Sequence, residues 1–226
     1  MWLINSSVGR KFVMSITGAC LVLFLLFHGT MNLVAIISED GYNMICEFLG
    51  ANWYALVGTA GLAFLACLHI LYALILNVQN YRARGTARYA VSDRSNGVEW
   101  SSMNMLVLGF IILAGIVLHL CNFWAKMQLV EIMGEEPASG VELIKYTFSQ
   151  WYYALLYIVW LFSLWFHLTH GVWSSMQTLG WSNNIWLPRI KCISNIVATL
   201  VVLMFAAVVV YFFIAGNCCG AAACAA

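Results

Sequence analysis

Five stretches of this chain run for about 20 residues or more with scarcely a charge, the length a helix needs to cross the hydrocarbon core of a bilayer. They fall at approximately 12–37, 53–78, 102–125, 150–178 and 191–215. Inside lipid every backbone N–H and C=O has to find its partner within the chain, so an apolar stretch of this length becomes a helix. Composition leaves little alternative: 63% of the 226 residues are hydrophobic and 8% are charged, against about 25% charged in a soluble domain. The expected fold class is all-α, an integral membrane bundle of five transmembrane helices forming one domain over 1–226. The first run follows Arg10 and Lys11 in the manner of a signal peptide. It continues well past an h-region, and no A-x-A site follows, so a retained helix is expected. Pro137 and Pro188 both fall in connections.

The connections set the orientation. Arg10, Lys11, Arg82, Arg84, Arg88, Arg94, Arg189 and Lys191 lie on one side, eight of the ten basic residues. Only Lys126 and Lys145 lie on the other, together with Glu39, Asp40, Glu47, Glu131, Glu135, Glu136 and Glu142. The positive-inside rule places the N-terminus in the cytoplasm and the C-terminus outside. Trp53, Tyr54, Trp124, Trp151 and Tyr152 would then form an outer aromatic belt, and Trp100, Trp181 and Trp186 an inner one. The outer connection from about 126 to 149 has room for a short surface helix, and the polar inner connection from 79 to 101 could dock a cytoplasmic partner. No basic cluster suits nucleic acid.

All five histidines, His28, His69, His119, His167 and His170, lie inside apolar spans. An ionisable group at bilayer depth is costly and marks a functional site by default, and imidazole is the commonest metal ligand. His28 and His119 lie nearer the outer ends of their helices, whereas His69, His167 and His170 lie nearer the inner ends. At 1.5 Å per residue across a core of about 30 Å, the two levels are roughly 10–15 Å apart. An outer pair, His28 with His119, and an inner pair, His69 with His167 or His170, would each bridge two helices. That is the arrangement for two b haems with two axial imidazoles each, which leaves no open position for O2. A proton relay is the alternative. Zinc fits less well, because its sites gather four ligands at one point and no carboxylate lies at these depths. Gly29, Gly115, Ser163 and Gly171 lie beside the histidines, but small residues admit a neighbouring helix as readily as a macrocycle.

The eight cysteines form neither CxxC nor CxxCH, so covalent haem attachment is not expected. Cys20, Cys67, Cys121 and Cys192 read as small buried hydrophobes, and Cys218, Cys219 and Cys224 as part of a frayed tail beyond the last span.

Several motifs carry a family resemblance. SSVGRKFVMSITG at 6–18, LFLLFH ending at His28, LGFIILAGIVLHL around His119 and FHLTHGVWSSMQTLGW at 166–181 are similar to the dihaem cytochrome b subunit that anchors quinol:fumarate reductases and succinate:quinone oxidoreductases. The resemblance covers about 5–215. It implies His28 and His119 as iron ligands of the outer haem b, and His69 and His167 as those of the inner one. His167 is chosen over His170 because it is the histidine that follows Phe166 in the motif. His170 is left to bond a propionate, a quinone oxygen or a neighbouring helix. The resemblance also implies a bacterial cytoplasmic membrane, menaquinone and menaquinol as substrate, and a flavoprotein with covalent FAD plus an iron–sulfur protein docked on the cytoplasmic face. A dimer of the heterotrimer fits the same pattern. The chain itself has no dinucleotide fingerprint, no cluster-binding cysteines and no dicarboxylate site.

Departures from the family pattern matter too. Trp165 stands where some members carry a proton-conducting glutamate, and Met103 where relatives often have arginine. Propionate contacts would then fall to Arg10, Lys11 or Arg82. Glu47, flanked by Cys46 and Phe48, is the candidate general base for quinol, and an inner quinone site beside His170 or Trp181 is a second placement. Fumarate reductase is favoured as the direction of turnover, with succinate dehydrogenase as its reverse. A non-redox transporter or proton channel with histidine relays is the reading from another class. The dihaem subunits of nitrate reductase and formate dehydrogenase space their ligands differently.

Overall fold

A computed structural model describes residues 6–50, 52–84, 99–181 and 183–223. Arg88 and Arg94 of the inner connection, and Cys224, lie outside the described residues. The described residues form helices joined by turns and short loops, with no strand among them, in the order α1 (Ser7–Ile37), α2 (Glu39–Phe48), α3 (Trp53–Arg84), α4 (Trp100–Met103), α5 (Met105–Asn122), α6 (Gln128–Ile132), α7 (Gly140–Ser149), α8 (Trp151–Thr178) and α9 (Trp186–Ala223), with a 3-10 turn at Trp124–Lys126. Helices α1, α3, α5 (run on through the turn to Lys126), α8 and α9 are long and apolar enough to cross a membrane. This is a multi-pass membrane protein.

Local capping explains where the spans differ from the hydropathy limits. Ser6 starts α1, its Oγ accepting from Gly9 N–H at 2.9 Å. Ser38 both ends α1 and starts α2: its N–H bonds Val34 O at 2.8 Å, and its Oγ accepts from Gly41 N–H at 3.0 Å. Glu39 and Asp40 then occupy the first turn of α2, where acidic groups complement the helix dipole. At the end of α8, Gly180 takes φ +90°. Trp181 N–H reaches Met176 O at 3.1 Å and Gly180 N–H reaches Gln177 O at 3.1 Å, the 6→1 and 5→2 bonds of a Schellman cap. Helix α9 begins at Trp186, earlier than the expected 191, because Asn183 Oδ1 accepts from Ile185 and Trp186 N–H at 3.0 and 2.8 Å. Pro188 therefore sits in the first turn of a helix and not in a connection, where its missing N–H costs nothing.

The core lies where α1, α7, α8 and α9 meet, around Ala35, Ile144, Tyr157, Leu161, Ala198, Val201 and Phe212. Ser194, fully buried, donates from α9 to Thr169 O of α8 at 3.0 Å. The connection after α5, where a short surface helix was expected, holds both α6 and α7, and α7 also buries Val141, Leu143, Ile144 and Phe148, because its apolar positions all fall on one side of the helix. Asn43 of α2 caps it from outside, Oδ1 accepting from Val141 N–H at 3.3 Å and Ser139 Oγ at 3.1 Å. Lys145 and Glu39 pair at 2.6 Å across the same contact.

Helix α3 is different. None of its most apolar window is buried, and its main neighbour is α1. Large apolar side chains such as Leu23, Phe64, Phe162 and Leu203 are more than 60% exposed, the surface a bilayer would cover. Cys67, Cys121 and Cys192 are exposed there too, not buried as expected, because they fall on the lipid-facing side of their helices. Cys218 lies within α9 and not in a tail. Trp53, Trp100, Trp151, Trp181 and Trp186 are at least half exposed, whereas Trp124 is half-buried and donates to Gln128 Oε1 at 2.7 Å.

Two glycines test the packing. A Cβ on Gly115 would overlap the Trp160 ring, whereas a Cβ on Gly29 would meet the flexible end of Met204 at 2.8 Å. Alanine gains up to about 1 kcal/mol of helix propensity at either site, but overpacking a rigid ring costs about 1–3 kcal/mol. Gly115→Ala should lower the thermal unfolding midpoint in detergent, and Gly29→Ala should leave it unchanged or raise it.

Candidate functional site

The four pairing histidines come from four different spanning helices and meet two by two. His28 of α1 and His119 of α5 have ring centroids 5.8 Å apart at 84°. His69 of α3 and His167 of α8 are 6.3 Å apart at 66°. Thr17, which touches His69, lies three turns before His28 on α1, so the two levels are about 16 Å apart along that helix.

Both pairs border one cavity of about 2390 Å³ that runs between α1, α3, α5 and α8, several times a typical ligand pocket of about 300–1,000 Å³. All four rings are half-buried. The lining is apolar between the pairs, through Val22, Leu25, Leu62, Ala66, Leu113 and Ile116. One mouth, at the end carrying α2 and α7, is polar through Asn43, Glu47, Gln128 and Glu131. The other is polar through Lys11, Asn77, Asn80 and Ser174.

Each histidine is held by its surroundings. Phe24 stacks on His28 at 5.2 Å and 14°, with Phe205 of α9 at 5.6 Å. Asn32 donates to His28 O at 2.8 Å and accepts from Tyr42 of α2 at 3.3 Å. Burial, and then the Cys46 thiol, push the Tyr42 hydroxyl above its ordinary range, so it stays a donor. His119 lies against Phe123, Trp160 and Tyr157. His69 Nδ1 is 3.1 Å from Thr17 Oγ1. His167 Nδ1 and Trp160 Nε1 are buried with no hydrogen-bond partner, and both residues border the cavity. A buried polar atom left in this state costs about 1–3 kcal/mol.

Two imidazoles on opposite sides of one metal, with bonds of about 2.0–2.1 Å, have ring centres roughly 6 Å apart. Both pairs meet that distance. A bare edge-to-face ring pair would meet it as well, so the cavity beside the rings is what distinguishes the site. Among the described residues no three His, Cys, Asp or Glu side chains group to hold a metal ion by themselves. Two imidazoles suit an iron whose remaining positions a macrocycle fills.

His170 also borders the cavity, but its Nδ1 meets an acid. Its Nδ1 is 3.3 Å from Glu99 Oε2, which also accepts from Trp173 Nε1 at 3.1 Å, while Lys191 Nζ holds Oε1 at 2.8 Å. Glu99 was not singled out in the sequence, where it reads as one more loop acid. Glu47 is exposed at the α2–α7 mouth. Lys11 and Met103 border the cavity and Arg10 and Arg82 do not; Arg82 is exposed at the end of α3. Trp165 points to α9, donating to Thr199 Oγ1 at 3.0 Å. Compared with known proteins, the chain matches no family model, no curated sequence and no solved structure.

Burial alone would raise the Glu99 carboxyl, but the hydrogen bonds from Lys191 and His170, the Lys191 charge and the Trp173 bond together hold it below its ordinary value of 4.5. A depressed carboxyl contributes stability that is complete above the unfolded value and lost as pH falls through the folded one. Glu99→Gln should therefore flatten the decline of thermal stability on acidification below about pH 4.5. At neutral pH it should cost about 1 kcal/mol or less, the range of half-exposed ion pairs.

Proposed function

We propose that the chain is the dihaem cytochrome b subunit of a quinol:fumarate reductase, seated in a bacterial cytoplasmic membrane with its N-terminus inside. What supports this most is the pair of interhelical histidine couples, 5.8 and 6.3 Å across, set at two depths on one apolar cavity. Both polar orphans bordering that cavity, His167 Nδ1 and Trp160 Nε1, mark places where the chain by itself leaves a polar group unpaired.

In this reading His28 and His119 hold the outer haem and His69 and His167 the inner one. When bound, b haems supply reversible one-electron transfer between the two levels. The chain's own residues do the rest. Phe24, Phe205, Trp160 and Tyr157 keep water from the outer level, and Gly18 and Gly115 let rings approach the backbone. Lys11 at the inner mouth suits a propionate. At the outer mouth Glu47 accepts a proton from menaquinol as general base, exposed enough to pass it to water. The cytoplasmic end, with the arginine-rich connection, receives the iron–sulfur subunit, and through it the flavoprotein. Succinate oxidation is the same architecture run in reverse. A colourless histidine relay is the reading from another class.

The test is spectroscopic. The purified protein should show a reduced b-type absorption band with two haems per chain. His28→Ala and His119→Ala should each remove the same haem, His69→Ala and His167→Ala the other, and His170→Ala neither. A protein without the band would favour the relay. Glu47→Gln should abolish menaquinol oxidation with both haems retained; normal turnover would remove Glu47 from the mechanism.

A further inference from the structure

One hydroxyl lies in the middle of the bundle against a histidine that has to present a bare nitrogen. Thr17 is 3% exposed. Its Oγ1 lies 2.9 Å from Val13 O, 3.1 Å from Met14 O and 3.1 Å from His69 Nδ1. The two carbonyls can only accept. A hydroxyl has one hydrogen to give and two lone pairs to receive with. If that hydrogen went to His69, both lone pairs would face carbonyl oxygens and one hydrogen bond would form. If it goes to the helix carbonyls, Nδ1–H donates into a free lone pair and two bonds form. Thr17 is too deeply buried for water to make up the difference.

Gly18 completes the seat. A Cβ there would stand 3.2 Å from His69 Cε1 and 3.7 Å from Nδ1. Hydrogen at this position lets the ring edge lie against α1 with Nδ1 over Thr17. The adjacent pair thus sets both the distance and the protonation of a side chain carried by a different helix.

We propose that Thr17 is a positioning residue that holds His69 in its Nδ1–H tautomer, so that Nε2 carries the lone pair that binds metal. The proposal rests on the dihaem reading for its purpose, but not for its geometry. An outer-shell acceptor of this kind orients a ligating imidazole and raises its basicity, and its loss costs about 10–100-fold in metal affinity. A more basic imidazole favours the oxidised iron, so removing the acceptor should raise the inner midpoint potential. His167, whose Nδ1 has no partner, makes His69 the ligand of that pair whose tautomer the chain dictates.

The test compares Thr17→Val, which keeps the shape and removes the acceptor, with Thr17→Ser, which keeps the acceptor. In the full-length protein labelled with 15N-histidine and freed of haem, the His69 resonances, identified by their loss in His69→Gln, should report protonated Nδ1 and bare Nε2. Thr17→Val should abolish that signature and Thr17→Ser retain it; an unchanged signature in Thr17→Val would overturn the proposal. In the haem-loaded protein Thr17→Val should raise one of the two midpoint potentials, with Thr17→Ser near wild type. Two unmoved potentials, or two moved alike, would count against it. A wild-type protein that binds no haem would refute the functional reading, while the 15N signature would still judge Thr17.

Discussion

Helix α3 rests on α1 and stands off from the rest of the bundle, and the gap this leaves governs the molecule. Protein interiors are close-packed, with few voids larger than a water. A cavity of about 2390 Å³ with two open mouths lies far outside that pattern. Its apolar middle suits a flat hydrophobic body, and the two histidine pairs suit something that takes nitrogen ligands from two sides. A lipid chain would satisfy the first requirement and not the second.

The other helices can be read as the frame for that gap. Helices α8 and α9 pack closely through Ser194, Ala198 and Val201, all essentially buried, and make the rigid wall on which His167 is carried. At one end α2 and α7 fold over the cavity mouth, joined by Asn43 capping α7 and by the Lys145–Glu39 pair. At the other, Glu99 ties the start of α4 to α8 and α9 through Trp173, His170 and Lys191. That knot explains why two histidines three residues apart turn to different partners. Positions three apart are neighbours on a helix but not coincident, and Glu99 provides His170 with a partner that His167 lacks.

Much of the site was legible in advance for simple reasons. Backbone satisfaction in lipid forces long apolar runs into helices, so the spans could be read to within a few residues. Depth follows from a constant rise per residue, so the histidines sorted into levels. The limits of the elements were less legible. They depend on caps such as Ser38 and Asn183, whose side chains compete locally with the apolar pattern, so α2 looked like a connection and α9 was expected to start later than it does. Cys67, Cys121 and Cys192 were expected inside because apolarity in a membrane span does not say which side faces lipid.

The amino-acid sequence by itself determined that this chain spans a membrane five times and that its histidines lie at two depths, because both follow from hydropathy and helix geometry along one chain. Only the tertiary structure decided that His69 meets His167 while His170 meets Glu99, that a cavity separates α3 from the bundle, and that Thr17 and Gly18 seat the His69 ring. Those facts depend on which way each helix is turned about its axis and on what stands opposite. In lipid that rotation comes from side-chain packing between helices, not from hydrophobicity, and a pattern of apolar residues carries almost no record of it.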